Sequence, residues 1–183
     1  MLLVPSSAAA QDLKRPRRKE KWIWPTSLHA CGSTTAKQAR RRNSTPRHFP
    51  TANVDWVNAA PGDFPGGHEG SELTVEFTVL GRRFVGLNGG PNFTPNESVS
   101  FMVVTESQEE TDRYWDAIIG NGGVESACGW CKDRWGFSWQ ITPRRLLDLT
   151  TSSDRDKAKR AFEAMMTMVK IDVARIEAAA EAA

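Results

Sequence analysis

No apolar run in this 183-residue chain approaches the about 20 residues a bilayer-spanning helix needs. The opening Met-Leu-Leu-Val is stopped by Pro5 and has no basic residue before it, so no secretory signal is read. Cysteine is scarce, and its count of three is odd, which argues against a disulfide-built scaffold. Histidine is equally scarce, confined to His29, His48 and His68. Together these absences lead us to expect a cytoplasmic protein, with no membrane partner.

A small net charge of +2 conceals a sharp division. Residues 1–50 hold 11 Lys/Arg against 2 Asp/Glu, a balance of +9; the other 133 residues hold 13 against 20, a balance of −7. A basic arm on an acidic domain raises the possibility of nucleic-acid contact through phosphate charge. Nucleic acid is nevertheless not the expected partner. The four tryptophans Trp115, Trp130, Trp135 and Trp139 lie in the acidic part of the chain, which opposes nucleic-acid binding, and read as core and cleft wall.

Regular patterning begins at Leu73. Leu73, Val75, Phe77 and Val79 alternate with Thr74, Glu76 and Thr78, the period of a half-buried strand. Gly81 breaks that run and Phe84–Leu87 resumes it, which predicts a hairpin turning at Gly81-Arg82. A strand follows over Val99–Val104. Ser107 with Glu110 forms a capping box for a helix carrying Tyr114, Trp115, Ile118 and Ile119. Two short segments, Ser126–Lys132 and Phe137–Thr142, flank a turn. In the second, Phe137, Trp139 and Ile141 lie on one face, with Ser138, Gln140 and Thr142 on the other. Ser153 with Asp156 predicts the cap of a helix whose apolar stripe is Ala158, Phe162, Met165 and Val169; a last helix starts near Asp172. Strands and helices do not alternate one for one, which favours an α+β fold over a parallel doubly wound sheet.

The stretches LTVEFTVLG, FVGLNGGP, VSFMVV, QEETDRYWDAI, CGWCKDRWGFSWQITP and AFEAMMTMVKIDVARIEAA resemble, in order and spacing, the PhnB-like branch of the glyoxalase (vicinal oxygen chelate) superfamily. That family also carries the older description 3-demethylubiquinone-9 3-methyltransferase-like. The resemblance implies paired βαβββ modules whose sheets curl around a shared cleft, often in a homodimer. It divides the chain into a basic segment 1–50, a glyoxalase-fold domain 51–179 and a short tail 180–183.

The family's first module should open with a strand and a helix, yet residues 1–48 show no period. One reading is that this segment is out of frame. With free choice of synonymous codons, the alternative frame across Lys21–Phe49 can encode a start Met, a Cys-Leu-Trp-Phe-Asp strand and a helix ending Phe-Tyr. The other is a natural, disordered basic arm. Either way little order is expected before Thr51, and a module without its opening strand and helix would expose a sheet edge and an apolar face.

Metal-dependent members of the superfamily hold a divalent ion with His, Gln or Glu side chains. Here the position resembling the acidic ligand is Gln140, Val99 and Ser100 stand where a His ligand would be, and the three histidines lie elsewhere. No metal and no cofactor are therefore expected. Cys128-Gly129-Trp130-Cys131 offers two soft ligands where a closed zinc site wants four. It reads as two reduced thiols, with a redox role as the alternative. Asn88-Gly89-Gly90 could cradle an anion. Met165, Met166 and Met168 read as helix packing. The expected function is binding of an unknown small molecule, without metal, in a cleft formed by Phe101, Trp130, Ser138 and Gln140. No catalytic residue is assigned. The alternatives are a metal-dependent glyoxalase- or dioxygenase-type enzyme, a methyltransferase-like activity as the family description says, or nucleic-acid contact through the basic arm.

Overall fold

The computed structural model describes residues 28–31 and 53–182. Strands β1 (Leu28–Cys31), β2 (Asn53–Ala59), β3 (Glu72–Val79) and β4 (Arg82–Leu87) form one sheet in the order β1-β4-β3-β2. Strands β5 (Ser100–Thr105), β6 (Val124–Glu125), β7 (Trp130–Lys132) and β8 (Ser138–Pro143) form the other in the order β5-β8-β7-β6. In each sheet the opening strand runs parallel to the closing one and the remaining pairs are antiparallel. Helix α1 (Gln108–Ile119) follows β5, which completes a βαβββ module. Helices α2 (Arg144–Thr150), α3 (Arg155–Met166) and α4 (Val173–Glu181) close the chain.

Strand β1 pairs Leu28–Cys31 with Phe84–Leu87, where the sequence pattern led us to expect no strand. The edge of β4 otherwise presents unpaired N–H and C=O groups, and a parallel strand satisfies them. The helix expected after it falls outside the described residues.

Local chemistry explains most boundaries. The β3–β4 hairpin turns through Leu80 (φ 48°) and Gly81 (φ 73°), the pair of positive φ values that a type I′ turn demands. Leu80 tolerates that conformation because its side chain packs against the main core. Ser107 caps α1, its hydroxyl accepting from the Glu110 N–H at 3.2 Å. The Glu110 carboxylate reaches back to the Glu106 N–H at 2.9 Å.

Helix α3 departs from the expected cap and stripe. Asp154, not Ser153, caps it by accepting from the Asp156 and Lys157 N–H groups. Ala158 and Ala161 are its buried residues, whereas Phe162 and Val169 of the expected stripe are exposed. Small alanines let α3 lie close to α4, and the larger side chains are rotated outward. Helix α2 was not anticipated. It starts directly after Pro143 without a side-chain cap, and it buries Leu146 and Leu149.

Two cores result. One joins Val79, Phe77 and Phe84 of the first sheet to Val103, Cys131 and Ile141 of the second and to Tyr114, Trp115 and Ile118 of α1. The other lies among α2–α4, around Leu146, Leu149, Ala161, Ile171 and Ile176. Among the described residues no helix is long and apolar enough to cross a membrane.

Candidate functional site

With α1 covering one face of the second sheet, the opposite face is only partly open, Ser138 and Thr142 being buried on it and Met102, Val104 and Val124 exposed, and strand register fixes what it carries. Lys132 lies opposite Ser138, which neighbours Ser100. Trp130 lies opposite Gln140, which neighbours Met102. Thr142 neighbours Val104, and Val124 lies opposite Lys132. The alternation of Ser138, Gln140 and Thr142 against Trp139 and Ile141 is as the sequence pattern predicts. Lys132 was not placed on this face because the Ser126–Lys132 segment carried no register, and Met102 was not because nothing in the sequence ties β5 to β8. Knowing that Trp130 shares a face with Gln140 would have placed Lys132 as well.

Hydrogen bonding on this face is incomplete. The Gln140 amide donates to the Ser100 hydroxyl at 2.8 Å. Ser138 is only 2% exposed, yet its hydroxyl has no hydrogen-bond partner. A buried polar group without a partner is costly, and such groups are few in folded proteins. Lys132 forms an ion pair with Glu97, on the segment between β4 and β5. The Lys132 ammonium, hydrogen-bonded to the Glu97 carboxylate, holds it below the usual carboxylate range.

Three of the four predicted cleft residues, Trp130, Ser138 and Gln140, share this face. Phe101 is on the other one. As the neighbour of Trp139 it points into the core side, with ring centroids 5.1 Å from Trp139 and 5.7 Å from Phe84. Phe84 in turn stacks on Phe77 at 5.5 Å, so this aromatic series joins the two sheets. Beneath it Asp133 organises the β7–β8 turn. One carboxylate oxygen accepts from the Trp135 and Phe137 N–H groups at 2.9 and 3.0 Å, the other from the Trp139 indole at 3.2 Å. Burial raises the Asp133 pKa above the ordinary value, against the pull of those bonds.

The other motifs resolve into structural roles. Cys131 is buried on the core side of β7, and burial pushes its thiol up to about 12. Cys128 (φ 59°) and Gly129 (φ 78°) are the central residues of a tight turn closed by the Trp130 N–H bonding the Ala127 carbonyl at 3.1 Å. Of the glycines after Asn88, Gly90 serves close packing, since a Cβ there would press the Pro65 carbonyl, and on the facing segment a Cβ on Gly66 would collide with the Asn88 carbonyl. Met168 is buried, while Met166 is exposed and its sulfur lies 3.6 Å from that of Cys128. His68 sits in an exposed turn, its carbonyl accepting from the Ser71 N–H at 3.0 Å; His48 falls outside the described residues. The open face offers hydroxyl and amide oxygens, and among the described residues no group of three or more His, Cys, Asp or Glu side chains could hold a metal. That donor set does not fit a divalent ion of the glyoxalase type.

Residues 34–142 match the family described as 3-demethylubiquinone-9 3-methyltransferase. Among solved structures, one similar to this chain is a putative 3-demethylubiquinone-9 3-methyltransferase, PhnB protein, from Bacillus cereus. It is 25% identical, with a TM-score of 0.50, covering 64% of this chain and 96% of its own. A protein from Pseudomonas aeruginosa is 13% identical with a TM-score of 0.50, covering 64% of this chain and 95% of its own. A glyoxalase/bleomycin resistance protein from Albidiferax ferrireducens is 15% identical with a TM-score of 0.39, covering 62% and 92%. No curated protein matches.

Proposed function

The chain belongs to the 3-demethylubiquinone-9 3-methyltransferase family, with its PhnB-like paired-module fold, and within it we propose that this protein binds a small molecule on the open face of the second sheet, without a metal. The unpartnered Ser138 hydroxyl carries this reading, since a ligand group offers that hydroxyl the hydrogen bond it lacks. The exposed apolar side chains on the same face support it: Met102 is 50% and Val124 65% exposed.

Thermal-shift screening of small polar molecules tests the reading. The expected result is stabilisation by at least one molecule, weakened in Ser138→Ala and indifferent to chelator. Stabilisation by divalent ions alone would favour the metal-dependent alternative. Homodimer formation is part of the same proposal, and sedimentation equilibrium reads it directly. We further propose that residues 1–48 are out of frame, in spite of the β1–β4 pairing at Leu28–Cys31 and a family match that begins at residue 34. Resequencing the gene decides this, and DNA unable to encode the family's opening strand and helix in the alternative frame rules it out.

A further inference from the structure

On that same face the register brings together a cation, a buried hydroxyl and an apolar wall, and a loop carboxylate occupies the cation. Lys132 lies directly opposite Ser138 on the antiparallel β7–β8 pair. Its ammonium is held by Glu97, a side chain 62% exposed on the β4–β5 connection, while Lys132 itself is 38% exposed. An ion pair that open to water contributes little and is readily exchanged for another carboxylate. Beside it stand Trp130 and Met102, which flank Gln140 in the next row across the sheet.

We propose that this face takes a small aromatic carboxylate, received by the Lys132 Nζ and the Ser138 hydroxyl, and that Glu97 holds Lys132 until the ligand arrives. The ring lies against Trp130 and Met102, where its burial removes exposed apolar surface from water. The carboxylate replaces that of Glu97, so the charge of Lys132 is matched before and after binding. Its second oxygen accepts from Ser138 once the displacement of Glu97 uncovers that buried side chain, which satisfies the hydroxyl that lacks a partner. Glu97 is then released to solvent, and the β4–β5 connection is freed from the sheet at that point.

This inference rests on the second sheet being the ligand face, and calorimetric titration of the full chain separates the two claims. The probes are benzoate and phenylacetate with the uncharged benzyl alcohol and 2-phenylethanol. At least one carboxylate should bind, and its uncharged counterpart should bind about tenfold more weakly or worse. Lys132→Met should abolish that preference and Lys132→Arg should restore it. Ser138→Ala should weaken carboxylate binding, and Glu97→Gln should tighten it by removing the competing carboxylate. Thermal melting of each variant shows that it is folded. Equal binding of charged and uncharged probes, or a carboxylate preference that survives Lys132→Met, overturns the carboxylate assignment and leaves the ligand face standing. Binding of no probe overturns the carboxylate assignment, and only a simultaneous failure of the broader thermal-shift screen removes the face itself. Carboxylate binding unchanged in Ser138→Ala means that the hydroxyl plays no part, contrary to the proposal.

Discussion

The two sheets share one topology and differ in what their open faces leave unsatisfied. In the first, the Trp56 indole donates to Asn58 Oδ1 at 2.6 Å, and the Asn58 amide donates to Thr74 Oγ1 at 2.8 Å. The Thr78 hydroxyl donates to Asp55 Oδ2 at 2.6 Å. These polar groups bond to one another. In the second sheet the Gln140–Ser100 bond stands next to a buried hydroxyl with no partner and a lysine tied to a loop. Strand order alone thus does not distinguish the two faces; the unpartnered Ser138 hydroxyl does, while the other buried polar atom without a partner among the described residues, Asn88 Oδ1, lies just beyond β4.

The largest expected effect concerns what lies beneath the second sheet. Trp115 is 2% exposed in the core that α1 forms there, and Trp115→Ala should cost about 3–5 kcal/mol in urea unfolding. Phe101→Ala tests whether that ring belongs to the junction between sheets. It should cost about 2–3 kcal/mol, as a partly buried aromatic, and leave ligand affinity unchanged. A large loss of affinity with little loss of stability would return Phe101 to the cleft.

The contrast between the faces is tested by removing one hydroxyl from each. Thr74→Val deprives the Asn58 amide of its acceptor and should cost about 1 kcal/mol. Ser138→Ala removes a group that makes no bond and should be neutral within about 0.5 kcal/mol, or stabilising. Equal costs would erase the difference between the faces. The smallest effect separates the turn before β7 from the core side of that strand, by alkylation at pH 8. Cys128 should react first, and Cys131 should stay protected, because burial and the thiol's raised pKa of about 12 leave almost no thiolate. Comparable rates would mean that the core side of β7 opens readily.

Much of this was legible in the sequence because the second module is written in short-range signals. The period of Ser138–Thr142, the Ser107–Glu110 cap and the apolar spacing of Tyr114, Trp115 and Ile118 each fix an element and a face. What stayed hidden was register and rotation. Phe101 alternates correctly within β5, yet only its parallel pairing with Trp139 reveals which side it takes. Phe162 and Val169 fit a helical stripe, but Ala158 and Ala161 allow the closer approach and win the buried side of α3. Lys132 could be placed on the face of Ser138 only once Trp130–Lys132 was paired with β8.

Amide chemical-shift mapping, during a titration with the carboxylate that binds best, tells the two sheets apart as ligand faces. Shifts are expected at Ser100, Lys132, Ser138 and Gln140, with Asn58, Thr74 and Glu76 of the first sheet unmoved. Shifts concentrated on the first sheet, or spread equally over both, would contradict the assignment of the ligand to the second.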